Sequence, residues 1–121
     1  MTEQQIFNFN SNSVYLEENF IKDTSNLEVF NYLSKYPSWE NRLINLHGAK
    51  KSGKTFMLNI FKNKENFFYL SNKGELEKNF DNLFLKDKLI IDNIHIDENK
   101  MFALINHFIL HNKYLIISSR I

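Results

Sequence analysis

The stretch from Leu43 to Leu58 constrains the fold of this chain more than any other. A short apolar run, Leu43-Ile44-Asn45-Leu46-His47, leads into Gly48-Ala49-Lys50-Lys51-Ser52-Gly53-Lys54-Thr55, and Phe56-Met57-Leu58 continues in a helix-compatible pattern. The octet matches G-x-x-x-x-G-K-[ST] between a strand and a helix, the context in which that string forms a phosphate-binding P-loop. Gly48 and Gly53 can adopt backbone angles closed to residues with a Cβ, so successive N–H groups can turn inward around an anion. Lys54 would reach the outer phosphates, the Thr55 hydroxyl would ligate Mg²⁺, and the helix N-terminus adds partial positive charge. The chain has only three glycines, so two at this spacing followed by Lys-Thr are hard to assign to chance. The candidate nucleotide-binding set is therefore Gly48, Ala49, Lys50, Lys51, Ser52, Gly53, Lys54, Thr55 and the adjoining Phe56.

From Leu43 onward apolar runs alternate with helical patterns, the signature of an α/β fold. Strands are expected at Leu43 to His47, Phe67 to Leu70, Leu89 to Asp92 and Tyr114 to Ile117. Helices are expected at about Lys54 to Phe61, around Leu76, Phe80 and Leu83, and after Asp97, where Met101, Leu104, Ile105, Phe108 and Ile109 form one stripe. Strands this apolar are buried on both faces, as in a parallel sheet with helices on either side. Upstream, the capping box Ser25-Asn26-Leu27-Glu28 opens a helix with Leu27, Phe30 and Leu33 on its buried face, and Pro37 ends it near Tyr36. Residues 1 to 13 are polar apart from Ile6, Phe7 and Phe9, and a mobile tail is expected there, followed by one domain over 14 to 121.

Composition narrows the function classes. At 121 residues the chain can bury one core but not two, and twelve phenylalanines help to supply it. A net charge of +1 with scattered lysines shows no basic block, so direct sequence-specific DNA binding is not expected. The absence of cysteine excludes a disulfide frame and a thiolate zinc site. No leader-like start and no apolar run near the ~18 residues of a membrane span point to a cytoplasmic protein without membrane association.

A nucleotide pocket also needs a carboxylate for the magnesium shell, and Asp92 ends the apolar string Leu89-Ile90-Ile91-Asp92 as a Walker B residue would. Asn93 follows it, where many P-loop ATPases carry a second acid. Asparagine orients water but cannot take its proton at neutral pH, so slow or absent hydrolysis is expected. Ser118 and Ser119 close the last strand and either approach the γ-phosphate region or cap the strand end. Lys54, Asp92, Asn93, Ser118 and Ser119 thus form the candidate reaction set, with Thr55 and Asp92 as the magnesium set. His107 and His111 are four apart but lack the H-E-x-x-H pattern, and His47 and His95 are expected to satisfy local backbone groups.

Asn19-Phe20-Ile21, Ser25-Asn26, Tyr36-Pro37-Ser38-Trp39 and Leu46-His47-Gly48 with the P-loop resemble the DnaA/Hda family of AAA+ ATPases over about residues 14 to 120. Asp92-Asn93-Ile94 is similar to the Walker B segment of the Hda-type members. The resemblance implies a regulator of chromosomal replication initiation that binds ATP or ADP with Mg²⁺ and contacts DnaA and the β sliding clamp. It places Phe20, Ile21 and Asn26 beside the adenine. It also matches Gln4-Gln5-Ile6-Phe7-Asn8-Phe9 to a clamp-binding peptide, with Gln4, Phe7 and Phe9 as anchors. The family's fifth strand, arginine finger and helical lid would follow residue 121, which implies a core lacking them and an open sheet edge able to drive self-association. A clamp-binding adaptor with a structural P-loop, and a P-loop phosphotransferase, are the alternatives.

Overall fold

The computed structural model describes residues 5–8, 24–47 and 54–119. Expectations for Gln4, Phe9, Phe20, Ile21 and the loop 48–53 lie outside these, and of Phe7 and Asn26 only the backbone is described. The elements are β1 (Gln5–Asn8), α1 (Thr24–Ser34), β2 (Leu43–His47), α2 (Lys54–Glu65), β3 (Phe68–Leu70), α3 (Lys73–Leu83), β4 (Lys88–Asp92), α4 (Glu98–Leu110) and β5 (Tyr114–Ser119). All strands pair in parallel, in the order β1-β2-β5-β4-β3. The chain is α/β, as its alternating pattern predicts.

Because side chains alternate across a strand, the register sorts the core into two layers. Ile44, Leu46, Ile90 and Ile116 face one side, where Val29 and Leu33 of α1 and Met57, Leu58 and Phe61 of α2 cover them. Leu43, Leu89, Ile91, Leu115 and Ile117 face the other, against Leu76 and Leu83 of α3 and Leu104 and Phe108 of α4. The strands in the middle of the sheet are buried on both faces, which explains why they read as unbroken apolar runs. No helix among the described residues is long and apolar enough to cross a membrane.

Three details differ from expectation. Gln5–Asn8, placed in a mobile tail by its polar neighbours, forms a strand beside β2, with Gln5 opposite Ile44 and Asn8 opposite His47. The sheet of described residues therefore has five strands, with the N-terminal one rather than an open edge beside β2. On α1 Leu33 is buried as expected, but among the described side chains Val29 rather than Phe30 is the other buried position, Phe30 packing half-buried against the same cluster; of Leu27 only the backbone is described. Ile109 leaves the α4 stripe and is 41% exposed, because Met101, Leu104, Ile105 and Phe108 already span the surface that the sheet offers.

Helix ends follow local chemistry. Asn72 caps α3 by accepting from the Glu75 N–H at 3.0 Å, and Asp97 caps α4 by accepting from Asn99 and Lys100. At the other ends, Asn66 and Asn112 take positive φ angles of 59° and 56°. Behind Asn112 the Asn112 N–H bonds to the Ile109 carbonyl and the Lys113 N–H to the Phe108 carbonyl, the paired bonds of a Schellman motif. With so few glycines, asparagine takes the left-handed positions.

Pro37 follows a cis peptide bond in the turn after α1, and Trp39 just beyond it centres an aromatic cluster. Its ring stacks on Phe61 at 5.6 Å and meets the edges of Tyr36 and Tyr114 at 5.2 and 5.6 Å. Its indole nitrogen is buried with no partner among the described residues, so the residue contributes volume rather than a hydrogen bond. Trp39→Ala should cost about 3–5 kcal/mol, the range for emptying a buried aromatic site. Trp39→Phe should cost less than half as much, since it keeps most of the packing and removes the orphaned donor. Urea unfolding of the two variants against the parent, read by circular dichroism, checks the ordering.

Candidate phosphate and metal site

The chain order creates a crevice at the carboxyl ends of the central strands. From β2 the connection through α2 crosses to the far edge at β3, and the chain returns through α3 and α4 on the opposite face to β5, next to β2. Neighbouring strands whose connections leave toward opposite faces open a cleft outside their carboxyl ends, where ligands of such sheets bind. In sequence, residues 48–53 link the carboxyl end of β2 to the start of α2.

Register decides which side chains meet there. Leu46 pairs with Ser118 and Asp92 with Ser118, so Asp92 and Ser118 share the face that α2 covers. The first two residues of α2 are Lys54 and Thr55. Thr55 Oγ1 donates to Asp92 Oδ2 at 2.8 Å, and Lys54 Nζ donates to the Ser119 carbonyl at 2.6 Å. Lys54, Thr55, Asp92, Ser118 and Ser119, separated by up to 65 positions in the chain, thus come together.

Asp92 is only 1% exposed, yet its Oδ1 has no hydrogen-bond partner among the described residues. A buried carboxylate oxygen left bare costs free energy, so its retention points to a ligand. The Ser118 hydroxyl is likewise buried and unpartnered. Ser119 differs: its hydroxyl lies 2.9 Å from His47 Nδ1, so the two serines, equivalent by sequence, are separated by the register. His47 pairs with this side chain rather than with a backbone group. His95 is exposed and, with Asn93, Ile94 and Ser119, lines an open cleft of about 450 Å³.

Asn93 adopts φ 61°, and its N–H bonds to the Ser118 carbonyl at 2.8 Å. The backbone here turns left-handed immediately after the carboxylate, a conformation that favours Asn or Gly over Glu. The residue after Asp92 is therefore restricted by backbone geometry as well as by chemistry.

One residue of the site was not singled out from the sequence. Tyr69, in the middle of β3, pairs in register with Ile90, which places it on the same face as Asp92. Its hydroxyl donates a short hydrogen bond to Asp92 Oδ2. Burial, followed by the Asp92 hydrogen bond and charge, pushes the phenol above the ordinary tyrosine range. A tyrosine inside a short apolar run reads as a strand former, and no local signal announces a partner 23 residues away.

Hydroxyl and carboxylate oxygens are the donor set of a hard cation such as Mg²⁺, and an ammonium at a helix start suits phosphate, so the residues present fit a metal–phosphate ligand. No cluster of three or more His, Cys, Asp or Glu side chains suited to a metal occurs among the described residues. His107 Nε2 lies 2.9 Å from the Phe84 carbonyl. No protein-family model, curated protein or solved structure matches this chain.

Asn93→Gly should leave stability within a few tenths of a kcal/mol, whereas Asn93→Glu should cost about 1 kcal/mol for a side chain held in the left-handed region. Urea midpoints of the two variants check this. Equal midpoints would remove the backbone explanation for asparagine at this position.

Proposed function

We propose that the chain is a P-loop domain that binds ATP or ADP with Mg²⁺ and acts as a DnaA/Hda-like regulator of chromosomal replication initiation through protein contacts, with weak or absent hydrolysis of its own. The observation that carries the nucleotide part is the Thr55–Asp92 hydrogen bond beside an Asp92 Oδ1 with no partner among the described residues, at the start of the helix that follows Gly48-Ala49-Lys50-Lys51-Ser52-Gly53 in sequence. A hydroxyl bonded to a buried carboxylate is the pair of groups that would hold the metal of a nucleotide complex. When bound, Mg²⁺ neutralises charge on the outer phosphates. Lys54 contributes a cation at the same place, and its contact with the Ser119 carbonyl holds the ammonium at the strand end for exchange onto phosphate. Ser118 offers its unpartnered hydroxyl beside Asp92.

The expectation of poor hydrolysis rests on Asn93. Its amide, at the position directly after Asp92, has no basic site near neutral pH. A protein of this kind acts by what its nucleotide state presents to others. The regulatory part of the proposal rests on the resemblance of the segments around Phe20-Ile21, Ser25-Asn26, Pro37-Ser38-Trp39 and Asp92-Asn93 to the DnaA/Hda family. Asn26 in α1 and the adjoining Phe20 and Ile21 are the proposed adenine side of the pocket. The proposed clamp-binding anchors Gln4, Phe7 and Phe9 flank or lie in β1. Use of that peptide would require it to leave β2 or to offer its outer edge.

Titration of the purified chain with fluorescent ATP and ADP in the presence of Mg²⁺ tests the reading. Saturable binding is expected, weakened at least about tenfold in Lys54→Ala, since the charge-assisted contact to phosphate is worth upward of ~1.4 kcal/mol. Pull-down with DnaA and with the β sliding clamp, with and without nucleotide, then tests the partners. Absence of binding at millimolar nucleotide would overturn the nucleotide reading, and binding of neither protein would overturn the regulatory one.

A further inference from the structure

We infer that Tyr69 is a positioning residue for the metal: its hydroxyl turns the Asp92 carboxylate so that Oδ1 alone faces the cation. The inference rests on the nucleotide site proposed above and adds to it a residue from a strand that the P-loop string does not touch.

Two donors converge on one oxygen. Thr55 Oγ1, from the start of α2, and the Tyr69 hydroxyl, from β3, both donate to Asp92 Oδ2, while Oδ1 has no partner among the described residues. A carboxylate has roughly four acceptor directions, two on each oxygen, and those on Oδ2 are taken. If the tyrosine served only to satisfy a buried charge, one donor on each oxygen would be the cheaper arrangement. Concentrating both on Oδ2 leaves a buried oxygen bare and fixes the direction in which it points.

Tyr69 is itself held in place. The ring is half-buried on the face packed by α2, with Lys62 Nζ 5.4 Å from its centroid. Asn59 stands one helical turn beyond Thr55 and donates to the Thr55 carbonyl at 2.8 Å. The metal-side hydroxyl, the carboxylate and the phenol therefore belong to one network, clamped between α2 and β3. Phenylalanine would fill the same space, so what the tyrosine adds is the O–H. Groups that orient a metal's immediate partners typically govern affinity by about 10–100-fold.

The test compares wild type with Tyr69→Phe. Fluorescent ADP is titrated in EDTA and again across a Mg²⁺ series, and the readout is the ratio of the two affinities together with the Mg²⁺ concentration at half-effect. The expected result is a half-effect concentration raised about tenfold or more and a reduced ratio in Tyr69→Phe. A merely structural role would weaken binding in EDTA and in Mg²⁺ alike and leave the ratio unchanged, which would overturn the inference. A second measurement needs no variant: in ¹³Cζ-tyrosine-labelled, ADP-loaded wild type, the Tyr69 resonance should shift when Mg²⁺ is added, and a resonance that stays put would equally overturn it. Should wild type bind no nucleotide in either condition, the nucleotide reading fails and this inference with it. A Mg²⁺ effect retained in full by Tyr69→Phe sinks this inference alone.

Discussion

Everything at the carboxyl ends of the strands depends on the parallel register of β2, β5 and β4. Side chains alternate between faces, so a slip of one residue would send Asp92 to the side covered by α3 and α4, away from Thr55. The register is held by apolar packing well below the site. Ile44, Ile90 and Ile116 lie level with one another under α1 and α2, and Leu89 and Leu115 lie level on the reverse face. Two steps up the strands, the same parity delivers Leu46, Ser118 and Asp92 to the face where α2 begins. A hydrophobic constraint thus positions polar chemistry that could not position itself.

That chemistry carries a stability cost. A carboxylate at 1% exposure with one oxygen unpartnered among the described residues, and a buried hydroxyl likewise unpartnered on the neighbouring strand, are features that a core optimised only for stability would lack. The cost is limited by placing the groups at strand ends, where Thr55 and Tyr69 can reach Asp92 and the rest of the sheet remains apolar. Elsewhere, apart from the buried Trp39 indole nitrogen, the described polar side chains follow the ordinary rule. His107 and Lys113 both turn to the Phe84 carbonyl, and Lys88 turns to that of Glu65. The unsatisfied groups at the strand ends stand out against that background.

The central strands were legible because burial on both faces leaves an unbroken apolar string, and all four strands expected in the range 43–119 match the structure to within two residues at their ends. Asp92 was legible because such a string ends on it, behind a glycine-bearing loop. The rest of the site was not, for physical reasons. Tyr69 contributes through one hydroxyl, and whether that hydroxyl meets a carboxylate depends on strand order, which no local pattern encodes. β1 was missed because an edge strand has one side open to water: Ile6 is 50% exposed, and four residues with polar flanks carry too little apolar signal to separate strand from tail. Ser118 and Ser119 were indistinguishable as adjacent hydroxyls until parity sent one beneath α2 and the other to His47.

Asparagine connects the chain's composition to its chemistry. With three glycines in 121 residues, the chain turns left-handed at Asn66 and Asn112 after helices and at Asn93 after a strand. At the first two positions the residue is a cap and nothing more is required of it. At Asn93 the same backbone demand falls beside the carboxylate of the candidate site, where a second acid would be the means of activating water. The left-handed turn and its bond to the Ser118 carbonyl keep β4 and β5 joined at their ends, and they do so with a residue that cannot act as a base. On the proposed reading, such a site would hold a nucleotide rather than turn it over, because the residue that ties the strand ends together stands where hydrolysis would need a carboxylate.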